Sequence, residues 1–420
     1  MPQLSMPRHF ARRILGIAAA LTTLGVLGVG VLLAGLWLER RTEVTLPAPT
    51  GPFAVGRSIH HWTDPAPDSL APIAGTKREL LAWIWYPTLD GPPAAPDDYL
   101  PVWWRAGVER AGGAPTVLEQ LIGLLTRDPT KVHGHSHRDA KVARGERSFP
   151  VAIIRGGASS EIVNYSTLAE DLASHGYVVV GFDAPYRTGV VAFPDGRVIR
   201  RTPENNPELC VEPVQSPLAG CMTKLLTAWT LDIALVLDRL ERLNASDSSG
   251  TFTGRLDLTR VGVFGHSFGG ATAAQFCHDD PRCTAGIDVD GQPLGSVVQA
   301  GIRRPFMFLL SDHSGSSDPV TRQIEANIQA IYDRLPANSR LRVAIRGGFH
   351  FTFSDDGALL KSGVVRWLLG RFGKLGIDGR RQLALTRYCI RRFFDAYLKG
   401  TPGARPDLVS PLYPEIQILD

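Results

Sequence analysis

From Phe149 to residue 399 the chain alternates short apolar runs with segments of helical period. The apolar runs are FPVAIIR (149–155), YVVVGFD (177–183), RVGVFGH (260–266), AGIDVD (285–290), RPFMFLLSD (304–312) and RLRVAIRG (340–347). They are nearly continuous rather than alternating, which is what strands buried on both faces require. Between and after them lie helical stretches at 165–176, 224–243, 268–278, 320–334 and 382–399. In the second, Leu225, Trp229, Ile233, Val236, Leu240 and Leu243 recur three or four apart and share one face. Strands alternating with helices imply a mostly parallel sheet with helices on both faces. In such sheets ligands bind beyond the carboxyl ends of the strands, so polar residues just past each apolar run are the candidates for chemistry.

The remainder of the chain is less regular. ELLAWIWYP (79–87) reads as an earlier strand closed by Pro87. Its Trp83, Trp85 and Tyr86, like Trp103 and Trp104, suit a core or pocket wall. Residues 42–78 read as a linker and first loops, and 88–148 have weak periodicity with one helical stretch at Val117–Leu125. Between 184 and 221 the alternation breaks. VVAFPDGRVIRR there reads as a hairpin about a Pro-Asp-Gly turn followed by a Pro-rich loop, a lid-like insertion above the strand ends.

Residues 14–38 carry no charge over 25 positions. Roughly 20 apolar residues span a bilayer, and a cleaved signal has an apolar stretch of only about 7–15. The run therefore reads as an uncleaved transmembrane anchor. Arg8, Arg12 and Arg13 precede it, and Arg40 and Arg41 follow it. That excess places the N-terminus in the cytoplasm and exports the domain. The organisation expected is a cytoplasmic segment at 1–13, the anchor at 14–38, a linker at 39–50 and a catalytic domain over 51–420.

With 45 basic and 41 acidic residues the net charge is +4 and no Lys/Arg run pairs with aromatics, so nucleic acid is not a partner. No obligate protein partner is evident. Among five cysteines, Cys210/Cys221 and Cys277/Cys283 are close pairs that an oxidising compartment could bridge, leaving Cys389 over.

Gly265-His266-Ser267-Phe268-Gly269 fits the G-x-S-x-G turn between an apolar strand and a helix. The backbone folds back on itself there, so the positions two before and two after the serine must be small. A serine needs a base, and in this fold the chain order is Ser, acid, His. Of eleven histidines only His278, His313 and His350 follow Ser267. His350, in a Gly-rich loop after the last apolar run, is the candidate base. His313 is its rival, and His278 lies on the helix behind the turn. The acid is Asp290 or Asp312, each at the end of an apolar run, and position alone leaves them level; Asp288 falls inside its strand. The oxyanion hole needs the amide of Phe268 and one from IIRGGAS (153–159), where Gly156-Gly157 permits close approach. His133, His135 and His137 alternate, but no Cys or carboxylate at ligand spacing accompanies them, and they read as a polar loop. No metal or organic cofactor is called for.

The chain resembles the plasma-type platelet-activating factor acetylhydrolase family, which are α/β-hydrolases. The resemblance is carried by GPFAVGR (51–57), LLAWIWYP (80–87), FPVAIIRGG (149–157), LAEDLASHGYVVV (168–180), GHSFGG (265–270), GIDVDGQPLG (286–295) and the histidine loop after AIRGG. It implies Asp290 as the acid, with the oxyanion amides on Gly157 and Phe268. It also implies phospholipids with short or oxidised acyl chains as substrates. The chain departs from the family in having Ile154-Arg155-Gly156 where Ser-His-Gly or Ser-Pro-Gly is usual, and Arg155 is expected to face solvent. The reading is a serine ester hydrolase with Ser267, Asp290 and His350 catalytic. A broad carboxylesterase of dienelactone-hydrolase or polyester-hydrolase type is the alternative; a non-catalytic tethered binding protein is the reading from another class.

Overall fold

A computed structural model describes residues 8–89, 97–112, 116–144, 147–158, 160–210, 220–314, 318–373, 375–400 and 406–419. Its centre is a ten-stranded sheet. In chain order the strands are β1 (Ala54–Pro67), β2 (Lys77–Thr88), β3 (Ser136–Arg138), β4 (Phe149–Arg155), β5 (Val178–Asp183), β6 (Leu256–His266), β7 (Ala285–Val289), β8 (Phe306–Leu310), β9 (Arg340–Ile345) and β10 (Ile416–Ile418). They lie in the order β10-β9-β8-β7-β6-β4-β5-β2-β1-β3. The run from β5 to β9 is parallel, while β2 and β10 pair antiparallel at its flanks.

The helices are α1 (Arg8–Arg40), α2 (Val102–Gly112), α3 (Ser166–Ser174), α4 (Cys221–Ala245), α5 (Phe268–Asp279), α6 (Pro319–Tyr332), α7 (Gly363–Arg371) and α8 (Gly379–Phe394). Successive strand residues feed opposite cores. Ala152, Ile154, Val179 and Ile287 pack with Leu168, Leu172, Ile390 and Phe394 from α3 and α8. Val151, Ile153, Val180 and Phe308 pack with Ile233, Val236, Phe276 and Ile331 from α4, α5 and α6. Both faces are covered, as the continuous apolar strands demand. Trp83 and Trp85, two apart on β2, stack with centroids 6.1 Å apart and are fully buried.

The structure corrects the reading of 42–78. Ala54–Pro67 is a long strand paired with β2 from Ala54↔Thr88 to Pro67↔Lys77. Its sequence shows little period because polar Arg57 and Ser58 are buried in it; Arg57 is matched by Asp97, 2.7 Å away. α2 is a second element that weak periodicity concealed. In the insertion, Val190–Ala192 pairs antiparallel with Val198–Arg200 about the Pro-Asp-Gly turn. Residues 211–219 of that insertion and residues 1–7 lie outside the described residues. Disulfides join Cys210 to Cys221 and Cys277 to Cys283, and Cys389 is a buried free thiol.

Over Leu15–Arg40, α1 is apolar enough to cross a membrane, with a mean hydropathy of 2.3 and an 18-residue window of which nothing is buried; nearer its end Leu36 is buried. Its last turn is tied to the domain. Glu39 accepts the Gly363 N–H at 2.9 Å and pairs with Arg127, and Arg40 donates to the carbonyls of Gly123 and Thr126.

Candidate active site

The turn from β6 into α5 puts Ser267 at φ +58°, ψ −125°. That conformation costs a non-glycine residue about 1–3 kcal/mol and persists only where the surroundings enforce it. The surroundings here are backbone. A Cβ on Gly265 would fall 2.2 Å from the Gly269 carbonyl oxygen, and one on Gly269 would fall 2.3 Å from that of Arg155. Only glycine fits at either place. The turn lifts the serine off the sheet edge and aims the first amides of α5 outward.

His350 follows β9 in a short 3₁₀ turn, His350–Phe353. Its Nε2 lies 3.2 Å from Ser267 Oγ and its Nδ1 lies 2.8 Å from Asp290 Oδ2. Asp290 itself has positive φ, +53°, in the turn after β7, and its side chain is 2 % exposed. Four donors converge on this carboxylate: the Ser311 N–H and hydroxyl, each at 2.7 Å, His350, and His313 Nε2 at 3.3 Å. Burial alone raises the Asp290 carboxyl; the hydrogen bonds from His313 and His350 outweigh it and hold the group well below the usual carboxylate range. Asp290 is therefore ionised in the folded protein.

Asp312 is engaged elsewhere. It accepts the Gly347 N–H at 2.7 Å and the Ser314 N–H at 3.0 Å, tying the end of β8 to the His350 loop. His313 does not approach the serine as a rival base; it sits on the far oxygen of Asp290, and that hydrogen bond raises its pKa. Asp288 is fully buried inside β7, where it accepts the Gly291 N–H at 2.7 Å.

An open cavity of about 860 Å³ lies over these residues, lined by Ser267, Phe268, Ala158, Asp290, His313 and His350. Its wall includes Pro207 and Glu208 from the insertion and Met222 from α4.

Gly157 lies against the serine, where a Cβ on it would stand 3.3 Å from Ser267 Cβ. Its N–H donates to the Tyr165 hydroxyl at 3.0 Å and is committed there. The neighbouring residue, Ala158, is the one that reaches the cavity.

The model of the family described as platelet-activating factor acetylhydrolase, isoform II, matches residues 224–398. A probable 1-alkyl-2-acetylglycerophosphocholine esterase of Arthroderma benhamiae is 25% identical over 89% of this chain and 94% of its own. The platelet-activating factor acetylhydrolase of Cavia porcellus is 25% identical over 87% and 83% respectively. Among solved structures, a ferulic acid esterase from Streptomyces cinnamoneus superposes with a TM-score of 0.68 at 26% identity, covering 90% of this chain and 99% of that one. The chain is similar to the platelet-activating factor acetylhydrolases. It is an α/β-hydrolase and a carboxylic ester hydrolase.

The other histidines singled out in the sequence, and the aromatic residues around His350, find simpler places. His278 Nδ1 lies 2.7 Å from the Gly301 carbonyl at the back of α5. His135 Nε2 lies 2.9 Å from the Leu46 carbonyl. Of the aromatic residues flanking His350, Phe353 is buried, and Phe351 packs edge-on to His350, with centroids 5.2 Å apart, while staying exposed.

Arg155 does not face solvent. It is fully buried, with its guanidinium 3.7 Å from the Trp229 ring centroid and 5.1 Å from that of Phe182. Trp229 in turn meets Phe268 edge-on at 4.8 Å. Burial lowers the Arg155 pKa to about 10, so it remains a cation. Its Nη1 reaches the Phe182 carbonyl at 3.4 Å; its Nε and Nη2 have no hydrogen-bond partner among the described residues. The rings that cover it come from distant segments, which no local pattern around 155 reveals.

Proposed function

We propose that Ser267 is the nucleophile, His350 the general base and acid, and Asp290 the carboxylate that orients His350. The observation that carries this is the continuous line from Ser267 Oγ through the His350 ring to Asp290 Oδ2, at 3.2 and 2.8 Å, on the floor of an open cavity. Asp290 can only accept, so His350 Nδ1 carries the proton and Nε2 is left to take one from Ser267. The serine oxygen attacks the ester carbonyl as its proton passes to Nε2. The resulting imidazolium is stabilised by the ionised Asp290. The amides of Phe268 and Ala158 would receive the oxyanion, and removing one such donor typically costs ~10²–10³ in rate. His350 then protonates the departing alcohol. Water, deprotonated by His350, releases the acyl group and restores the serine.

The substrate class follows the named relatives. We infer phospholipids with short or oxidised acyl esters, acetyl among them. α1 is inferred to anchor the protein in a membrane, with its N-terminus cytoplasmic and the hydrolase domain exported; residues 39–50 form the linker and 51–420 the catalytic domain. Two facts support a domain held close to lipid. The last turn of α1 is bonded to Gly123, the end of the short helix Val117–Gly123, and to Gly363, the start of α7. Those helices expose Leu118, Ile122 and Trp367 beside it.

Full-length protein in mixed micelles tests the substrate. Release of acetate from a 2-acetyl phospholipid at a kcat/KM at least ten-fold above that for p-nitrophenyl acetate supports the lipid reading. Preference for the p-nitrophenyl ester points to the broad carboxylesterase instead.

A further inference from the structure

Beneath Ser267 runs a buried line of polar groups that the hydrolytic steps above do not use. Gly157 N lies 3.0 Å from Tyr165 Oη, Tyr165 Oη lies 2.8 Å from His266 Nδ1, and His266 Nε2 lies 2.9 Å from the His350 carbonyl oxygen. We propose that Tyr165 and His266 are positioning residues for ester hydrolysis, joined in a one-directional hydrogen-bond chain that sets the oxyanion loop against the backbone of the catalytic histidine. This rests on the reading of Ser267, His350 and Asp290 given above.

The direction of every proton in the chain is forced. A carbonyl oxygen can only accept, so His266 Nε2 carries a hydrogen and donates to His350. Burial, first, and the neighbouring His350, second, push the His266 pKa down to about 3, so its ring is neutral at pH 7. Nδ1 is then bare and accepts, and the Tyr165 hydroxyl must donate to it. The lone pairs of the same hydroxyl are left to accept the Gly157 N–H. Turning the hydroxyl around would set it donor to donor against that amide. Burial also keeps Tyr165 protonated, raising it to about 12.

Both ends of the chain belong to residues that approach the serine. At one end the loop is drawn onto the nucleophile: a Cβ on Gly157 would stand 3.3 Å from Ser267 Cβ and 3.5 Å from His266 Nδ1. Fixing Gly157 fixes the entry of Ala158 into the cavity wall. At the other end the carbonyl of His350 is held while its ring spans Ser267 and Asp290, the two imidazoles lying 4.7 Å apart. An amide that binds the oxyanion and a base that moves the proton must keep a common register within a fraction of an ångström. One neutral, fully buried chain supplies that register. The histidine inside the Gly-His-Ser-Phe-Gly motif thus has a role of its own, apart from filling the turn.

The test uses full-length protein in detergent micelles and p-nitrophenyl acetate. Tyr165→Phe is expected to lower kcat about 10- to 100-fold while KM stays within about three-fold, and binding of a boronic-acid mimic of the tetrahedral intermediate should weaken in step with kcat/KM. His266→Phe should give a similar loss. The double variant should fall no further than the worse single one, because both break one chain. A folded Tyr165→Phe protein with kcat within two-fold of the parent overturns the proposal, as do losses that multiply in the double variant. Should either variant fail to fold, nitrogen-15 spectra of the unaltered protein at pH 7 decide: a neutral His266 ring protonated at Nε2 is expected, and an imidazolium or an Nδ1–H tautomer overturns the chain. Ser267→Ala is run beside them. Full activity there sinks the nucleophile assignment whatever Tyr165 does.

Discussion

The floor and the rim of the cavity over Ser267 are built by different rules. The floor is made of strand ends and the tight turns that follow them, and its geometry is enforced by backbone against backbone. Gly265, Gly269 and Gly157 each allow an approach that a Cβ would obstruct or crowd, and Asp290 is held by four donors. The rim is made of pieces with little local regularity: Pro207 and Glu208 from the insertion and Met222 at the start of α4, joined there by the Cys210–Cys221 disulfide. On the function proposed above, the floor carries the reaction and the rim selects who undergoes it. Damage to the floor should therefore remove kcat, while damage to the rim should redistribute KM among substrates.

The largest separation is expected between the two aspartates at adjacent strand ends. Asp290→Asn keeps the shape but loses the charge that stabilises the imidazolium, and kcat should fall about 10⁴-fold. Asp312→Asn can still accept from Gly347 and should cost no more than about five-fold, as a change remote from the reacting atoms. Steady-state kinetics on both variants makes the comparison, and equal losses would erase the distinction drawn here between the two carboxylates.

A second, smaller effect is in stability and runs with pH. The His266 ring titrates near 6.5 when unfolded and near 3 when folded. Its folded value is depressed, so its contribution is complete above pH 6.5 and is lost as pH falls toward 3. Between those limits the unfolded chain binds a proton that the folded one refuses, at about 1.4 kcal/mol per pH unit for one group. His266→Gln should flatten the fall in urea midpoint between pH 6.5 and pH 4.5. An unchanged slope would mean the ring is not held neutral.

The smallest effects belong to the rim. Removing the staple with Cys210→Ser and Cys221→Ser, or trimming Glu208→Ala, should change KM for octanoyl against acetyl esters by about two- to ten-fold, the scale on which pockets discriminate methylenes. Turnover of the acetyl ester should stay within about three-fold. A collapse of kcat on all chain lengths would show that the rim supports the floor.

The same division explains what could be read from the sequence. The turn at Ser267 was legible because its constraint is local and steric: small residues two before and two after the serine, an apolar strand ahead, a helix behind. His350 was legible because few histidines follow. Asp290 and Asp312 were not separable by position, since both end neighbouring strands. What distinguishes them is the left-handed turn that throws the Asp290 carboxylate toward His350, and nothing in GIDVD announces it. Arg155 was misread because its covering rings, Phe182 and Trp229, arrive from β5 and α4. β1 was missed because its hydrogen bonds are supplied by β2, and polar Arg57 hides its period. Tyr165 carried no signal at all, lying at the end of a short 3₁₀ turn that only the tertiary fold brings beneath the serine.

Covalent trapping at residue 267 tests the central claim most directly. Full-length protein treated with a fluorophosphonate should gain one adduct, found by peptide mapping on the segment containing Ser267, with hydrolysis lost in the same proportion. Ser267→Ala should gain none. An adduct on any other residue, or hydrolysis that survives complete modification of Ser267, would contradict it.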